Sequence, residues 1–195
     1  MKLKILANKA LGFGVNRVIE IIGMAILIVG VLLLISLITF SPDDPNFIFP
    51  DNTEIKNILG FRGSFTADIF FQSFGLIALL IPFSLMVTGI NIIINKKFFL
   101  IAESIFYTIL YSIFGSLFFS FFYPIAFKLY INGNGGFIGN YLVTTFLNSI
   151  ISINSQIFYY TVTLLILILF LISVQFKISF FYKVINKIFK FLFSK

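Results

Sequence analysis

The sequence predicts an all-α membrane protein with four transmembrane helices, and three observations carry that prediction. Of its 195 residues, 59% are hydrophobic and 11% are charged, under half the roughly 25% of an average soluble domain. Mean hydropathy is +1.09, more apolar surface than one small globule can hide. Charges are also missing from long windows, residues 21–42, 69–95, 104–127 and 129–176. A charge at mid-bilayer costs about 3 kcal/mol or more, so such windows mark the spans.

The first three windows each fit one crossing, which takes about 20 residues. The fourth is too long. Its Gly/Asn-rich part, residues 132–140, reads as a loop, which leaves residues 157–174 as the last crossing. The predicted spans are therefore 21–40, 69–94, 104–127 and 157–174. The membrane domain takes in residues 19–176, between a basic N-terminus (1–18) and a basic tail (177–195).

Residues 141–156 alternate apolar groups (Leu142, Val143, Phe146, Leu147) with polar pairs (Thr144 and Thr145, Asn148 and Ser149). That near-four spacing predicts an amphipathic helix on the extracytoplasmic interface, or else an early extension of the fourth span. In the tail, Lys183, Lys187 and Lys190 fall on one helical stripe opposite Ile185, Ile188 and Phe189. This pattern predicts a helix lying on the anionic cytoplasmic leaflet rather than a nucleic-acid contact.

Orientation follows from basic residues. Eleven (Lys2, Lys4, Lys9, Arg17, Lys96, Lys97, Lys177, Lys183, Lys187, Lys190, Lys195) share one side, and three (Lys56, Arg62, Lys128) the other. The positive-inside bias predicts cytoplasmic termini in a bacterial inner membrane. The apolar core of the first span is too long for a signal-peptide h-region, and no small-x-small cleavage site follows it.

Catalytic signals are few. With no Cys and no His, there is no thiol nucleophile, His base or His/Cys metal site. The Gly133–Asn140 cluster, in numbers 133–140, lacks the Lys and Ser/Thr of a phosphate cradle, so no cofactor is expected. Asp43 and Asp44, between Pro42 and Pro45, read as a solvated helix end or as a partner-facing loop. Asp68 reads as a first-turn carboxylate of span two, favoured by the helix dipole. Gln72 reads as a hydrogen-bonding group toward a neighbouring helix, and Gly75 and Ala78 as a close-approach surface. Pro82 reads as a mid-span kink, with Ser84 or a neighbouring helix compensating the lost backbone bond. No broken-helix pair or inverted repeat is visible, and mid-span hydroxyls look scattered. A small transporter or channel subunit is thus the alternative reading.

The order of these residues resembles one family. The run is Ser41-Pro42-Asp43-Asp44-Pro45-Asn46-Phe47, then Asn57-x2-Gly60-x2-Gly63-x3-Ala67-Asp68-x3-Gln72-x-Phe74-Gly75-x6-Pro82, then Gly135-Gly136-x2-Gly139. It resembles the N-terminal four-helix membrane domain of the FtsK/SpoIIIE septal DNA translocases, over about residues 17–176. Absence of Trp departs from the family's habit, and the Phe-rich, Arg-poor composition fits nucleotide bias. The resemblance implies a membrane anchor that targets the division septum, with a motor expected beyond Lys195 and no catalytic residue in the chain. It implies the lipid bilayer and divisome membrane proteins as partners, a homo-oligomer (hexameric by family), and no direct nucleic-acid contact.

Overall fold

The computed structural model describes residues 2–45, 54–124, 132–147 and 154–176. Every regular element among them is helical. α1 covers Lys2–Ile38, α2 Gly60–Phe74 and α3 Ile81–Asn95, with a 3-10 segment, Gly75–Leu80, joining the last two. α4 covers Leu100–Phe122, α5 Gly136–Leu142 with a π-helical turn at Val143–Leu147, and α6 Ser155–Ser173. Four helical stretches are long and apolar enough to cross a membrane: Gly12–Ile38, Gly60–Asn95, Leu100–Phe122 and Ser155–Ser173. The chain is an all-α, multi-pass membrane protein.

Small residues let the first two spans approach. α1 crosses α3 where Gly23, Gly30 and Gly89 stand. A Cβ at Gly89 would lie 2.6 Å from Gly23 O, and one at Gly30 would lie 3.0 Å from Met86 N. In lipid, apolar burial gains little, so close backbone packing supplies much of the association. One apolar cluster then joins Leu33 and Leu37 of α1 to Ala67 and Phe71 of α2, with Ala78 and Ile81 below. A second joins Ile77 to Tyr111 of α4 and Leu169 of α6.

The spans alternate direction, which gives the bundle a termini end and a loop end. At the termini end Glu20 pairs with Lys96 at 2.9 Å and with Arg17 one turn away. The end of α6 also returns there, since Ile172, Gln175 and Phe176 line one cavity with Asn95, Lys97 and Glu103. The loop end holds residues 39–45, 54–59 and 132–142.

Several expectations from the sequence are corrected. The helix that carries the first span starts at Lys2, well before residue 21, and no proline interrupts it. Span two begins at Gly60 rather than 69, which puts Asp68 in the third turn of α2 and not the first. Span two is also broken, and the break is at Gly75, whose φ of +69° and ψ of −147° no other residue adopts cheaply. Pro82 does not lie inside one continuous α-helix. It sits in the first turn of α3, where its missing N–H would have had no helical partner. Ser84 therefore does not compensate it, and instead bonds Tyr111 and Ser173.

The Gly/Asn stretch is only partly loop, because α5 starts inside it at Gly136. The amphipathic segment is not one helix through Gln156. Its described part up to Leu147 is helical, ending α5 and forming the π turn, and Gln156 belongs to α6, capped by the Asn154 side chain. The 148–153 part of that segment, the basic tail from residue 177, Lys128, Asn46 and Phe47 lie outside the described residues.

Candidate functional site

The polar groups of the loop end form two clamps, and most of the sequence-selected positions fall in one or the other. In the first clamp, the loop after α1 folds back so that Asp44 is 1% exposed. Its carboxylate accepts from the backbone N–H groups of Lys56 and Asn57, each at 2.8 Å. A carboxylate is the acceptor that best offsets two buried amides, since charge-assisted bonds are about twice as strong as neutral ones. Asn57 then donates to Ser36 O at 2.9 Å, while Ser36 Oγ donates to Gly63 O at 2.5 Å. Ser64 Oγ reaches Pro45 O at 3.1 Å. The loop is thereby tied to α1 and to the first turn of α2.

Asp43 is different in kind. Its side chain is 74% exposed and pairs with Lys56 Nζ at 2.9 Å. The hydrogen bond that Lys56 donates to the Asp43 carboxylate raises the ammonium pKa, though so exposed a pair contributes little to stability. The solvated reading of the acidic pair thus holds for Asp43 and fails for Asp44, which is a structural ligand of the chain's own backbone.

The second clamp fills the break in span two. The turn at 133–136 inserts against Gly75, and Leu76 N donates to Asn134 O at 2.9 Å. A Cβ at Gly75 would stand 2.5 Å from Asn134 C, and one at Gly136 2.6 Å from Gly75 N. Gln72 accepts from Asn132 Nδ2 at 3.0 Å, so it binds this loop rather than a neighbouring helix. Gly135 and Gly139 press on α4, where a Cβ would lie 2.6 Å from Ser120 N and Ser116 C respectively. Asn140 accepts from Ser120 and donates to Asn132 O at 2.7 Å. Asn134 is fully buried. The stretch read as a loop plugs the break in span two.

The hydroxyls of α4 are not scattered. Ser104, Thr108, Ser112, Ser116 and Ser120 recur every four residues, forming one stripe of ~24 Å at 1.5 Å per residue. Ser104 bonds Thr88, Ser116 donates to Phe74 O at 2.8 Å, and Ser120 reaches Asn140. Tyr111, beside the stripe, bonds Ser84 at 3.0 Å, and Ser84 bonds Ser173 at 2.8 Å. The sequence reading missed this seam, although its period of four was there to be counted. Asp68 is 5% exposed on the buried face of α2, with Ala67 and Phe71.

The clamp groups bond mainly to one another, with Asn134 Oδ1 left without a hydrogen-bond partner, and among the described residues no group of three His, Cys, Asp or Glu could hold a metal. What the arrangement does is hold four spans and their loops in one geometry.

Comparison with known proteins agrees with that architecture. Residues 15–188 match the family described as the 4TM region of DNA translocase FtsK/SpoIIIE. A DNA translocase FtsK of Rickettsia typhi is 36% identical over 64 residues, 33% of this chain and 9% of the relative. One from Agrobacterium fabrum is 27% identical over 132 residues, 67% of this chain and 15% of the relative. The match thus spans a small fraction of the length of these curated relatives. No solved structure matches. With 15–188 of its 195 residues covered, this four-span chain belongs to the family of the 4TM region of DNA translocase FtsK/SpoIIIE.

Proposed function

We propose that the chain anchors a DNA translocase in the bacterial inner membrane and brings it to the division septum. The single observation that supports this reading is a packed four-span bundle with both described ends on one side, in a chain of this family. A motor on either end would then work in the same compartment. The excess of basic residues near that end argues for the cytoplasm. In this reading residues 1–18 and 177–195 are cytoplasmic basic segments flanking the 19–176 membrane domain. Asp44, Asp68, Gln72, Gly75 and Pro82 serve packing, and Asp43 lies on the loop face open to divisome membrane proteins.

Anchoring is the whole task of these residues in this proposal. They carry no G-x4-G-K-[ST] cradle, so ATP turnover and DNA movement belong to a motor and not to the bundle. Assembly as a homo-oligomer, hexameric by analogy with the family, would come through the same membrane surface. A channel or transporter role has less support, because three of the five α4 stripe hydroxyls, Ser104, Ser116 and Ser120, are engaged in bonds to other elements.

A fluorescent fusion in dividing cells tests the proposal. Enrichment at midcell, together with no ATP hydrolysis by the purified chain, is the expected result. Uniform membrane fluorescence would discard the septal role.

A further inference from the structure

An apolar groove of about 440 Å³ runs between α1 and α2 on the outside of the bundle. Val29 and Leu33 form one wall, Thr66 and Phe70 the other, and Leu85 of α3 the floor. Along α1 it extends over residues 29–36, ~10 Å at 1.5 Å per residue. At the loop end the Ser36–Gly63 bond pinches the two helices together and closes it.

The two hydroxyls in the walls are already engaged. Ser36 donates to Gly63 O, and Thr66 donates to Arg62 O at 2.7 Å. Nothing inside therefore asks for water or a polar partner. The one charged side chain lining the groove is Arg62, in the first turn of α2 at the loop end, exposed and in no ion pair among the described residues.

We propose that this groove is a phospholipid site, in which one acyl chain lies along α1 and α2 and Arg62 holds the phosphodiester. The chemistry matches at both ends. A guanidinium presents a planar fork of donors suited to phosphate oxygens. Its aliphatic stem can lie on apolar surface while the head stays at headgroup depth. An anionic headgroup such as phosphatidylglycerol is favoured, because no neighbouring ammonium then competes for Arg62. A second copy of this chain fits less well as occupant. Near this end Asp44 and Asp68 are buried, and Asp43 already pairs with Lys56.

The absence of Trp from the chain gives a clean test. Leu32→Trp places a single fluorophore on the groove rim, and Leu164→Trp places one on the exposed face of α6. Each full-length protein is reconstituted in phosphatidylcholine vesicles carrying an increasing fraction of dibrominated phosphatidylglycerol. Residue 32 should be quenched as though the brominated lipid were enriched about fivefold, the factor given by ~1 kcal/mol per basic residue at an anionic surface. Residue 164 should follow the bulk composition. Adding Arg62→Gln, with unchanged circular dichroism, should bring residue 32 down to the bulk curve.

Equal quenching at both positions in the parent would overturn the site. So would enrichment at 32 that survives Arg62→Gln, or a residue 32 shielded from all lipid by a second copy.

Discussion

Replacing Gly75 by alanine is the sharpest probe of the plug. Its backbone, φ +69° and ψ −147°, lies in a region open essentially to glycine, and forcing alanine there costs about 1–3 kcal/mol. The new Cβ would also meet the Asn134 carbonyl carbon at 2.5 Å, and that neighbour is backbone rather than a yielding side chain. Moving it breaks the bond from Leu76 N to Asn134 O, for about 1 kcal/mol more. The expected total is about 3 kcal/mol, roughly a hundredfold in the folding equilibrium. Gly60→Ala is the control. Its φ of +64° is similar, but nothing stands within 4 Å of an added Cβ, so the cost should stay near 1–2 kcal/mol. Unfolding by SDS titration in mixed micelles, followed by circular dichroism, measures both. The chain has no cysteine, so Asn134→Cys adds a second readout. Its thiol should resist a water-soluble maleimide in the parent and react once Gly75 carries a methyl group. Equal destabilisation by the two substitutions, or equal labelling, would refute the plug.

The two adjacent aspartates should separate cleanly in the same titration. Asp44→Ala strands two buried amides and should cost about 2–4 kcal/mol, whereas Asp43→Ala should cost under ~1 kcal/mol and lose even that in high salt. A double-mutant cycle between Ser84→Ala and Ser173→Ala should return a coupling of about 0.6 kcal/mol, the usual size for interhelical bonds in lipid, and zero would remove that bond from the seam. For topology, cysteines at the exposed Glu54 and Lys97 should label from opposite faces of the membrane, Glu54 from outside; labelling from the same face would sink the four-span arrangement.

The spans were legible because their signal is one-dimensional. A run without charges looks the same in sequence as in a bilayer, so residues 104–127 and 157–174 fall close to the observed Leu100–Phe122 and Ser155–Ser173. The start of span two was hidden by Asp68, since a carboxylate reads as the edge of a membrane whether it is solvated or buried. Asp43 and Asp44 show the same blindness at single-residue scale. They are chemically identical and adjacent, and only the backbone path decides that one faces water and the other two amides. Gly75 was singled out for the right property, its missing side chain. Its consequence was misjudged, because close approach of a helix and a reversal of φ leave the same letter in the sequence.

The interior polarity has one physical explanation. In water, apolar area alone could hold helices together, but between lipid and protein that difference nearly vanishes. Specific geometry then has to come from groups that discriminate: glycines that admit one backbone, and hydroxyls and amides that lipid cannot satisfy. Gly23, Gly30 and Gly89 fix where α1 crosses α3. The α4 stripe fixes which face of that helix turns inward, by bonding Thr88 near one end and Asn140 near the other. The plug at Gly75 goes further, because it ties a loop into a gap in span two and so couples the α5 turn to the α2–α3 junction. A bundle specified this way is stiff at its loop end while its outer faces stay almost wholly apolar. Those faces remain available to lipid or to other membrane helices without disturbing the interior.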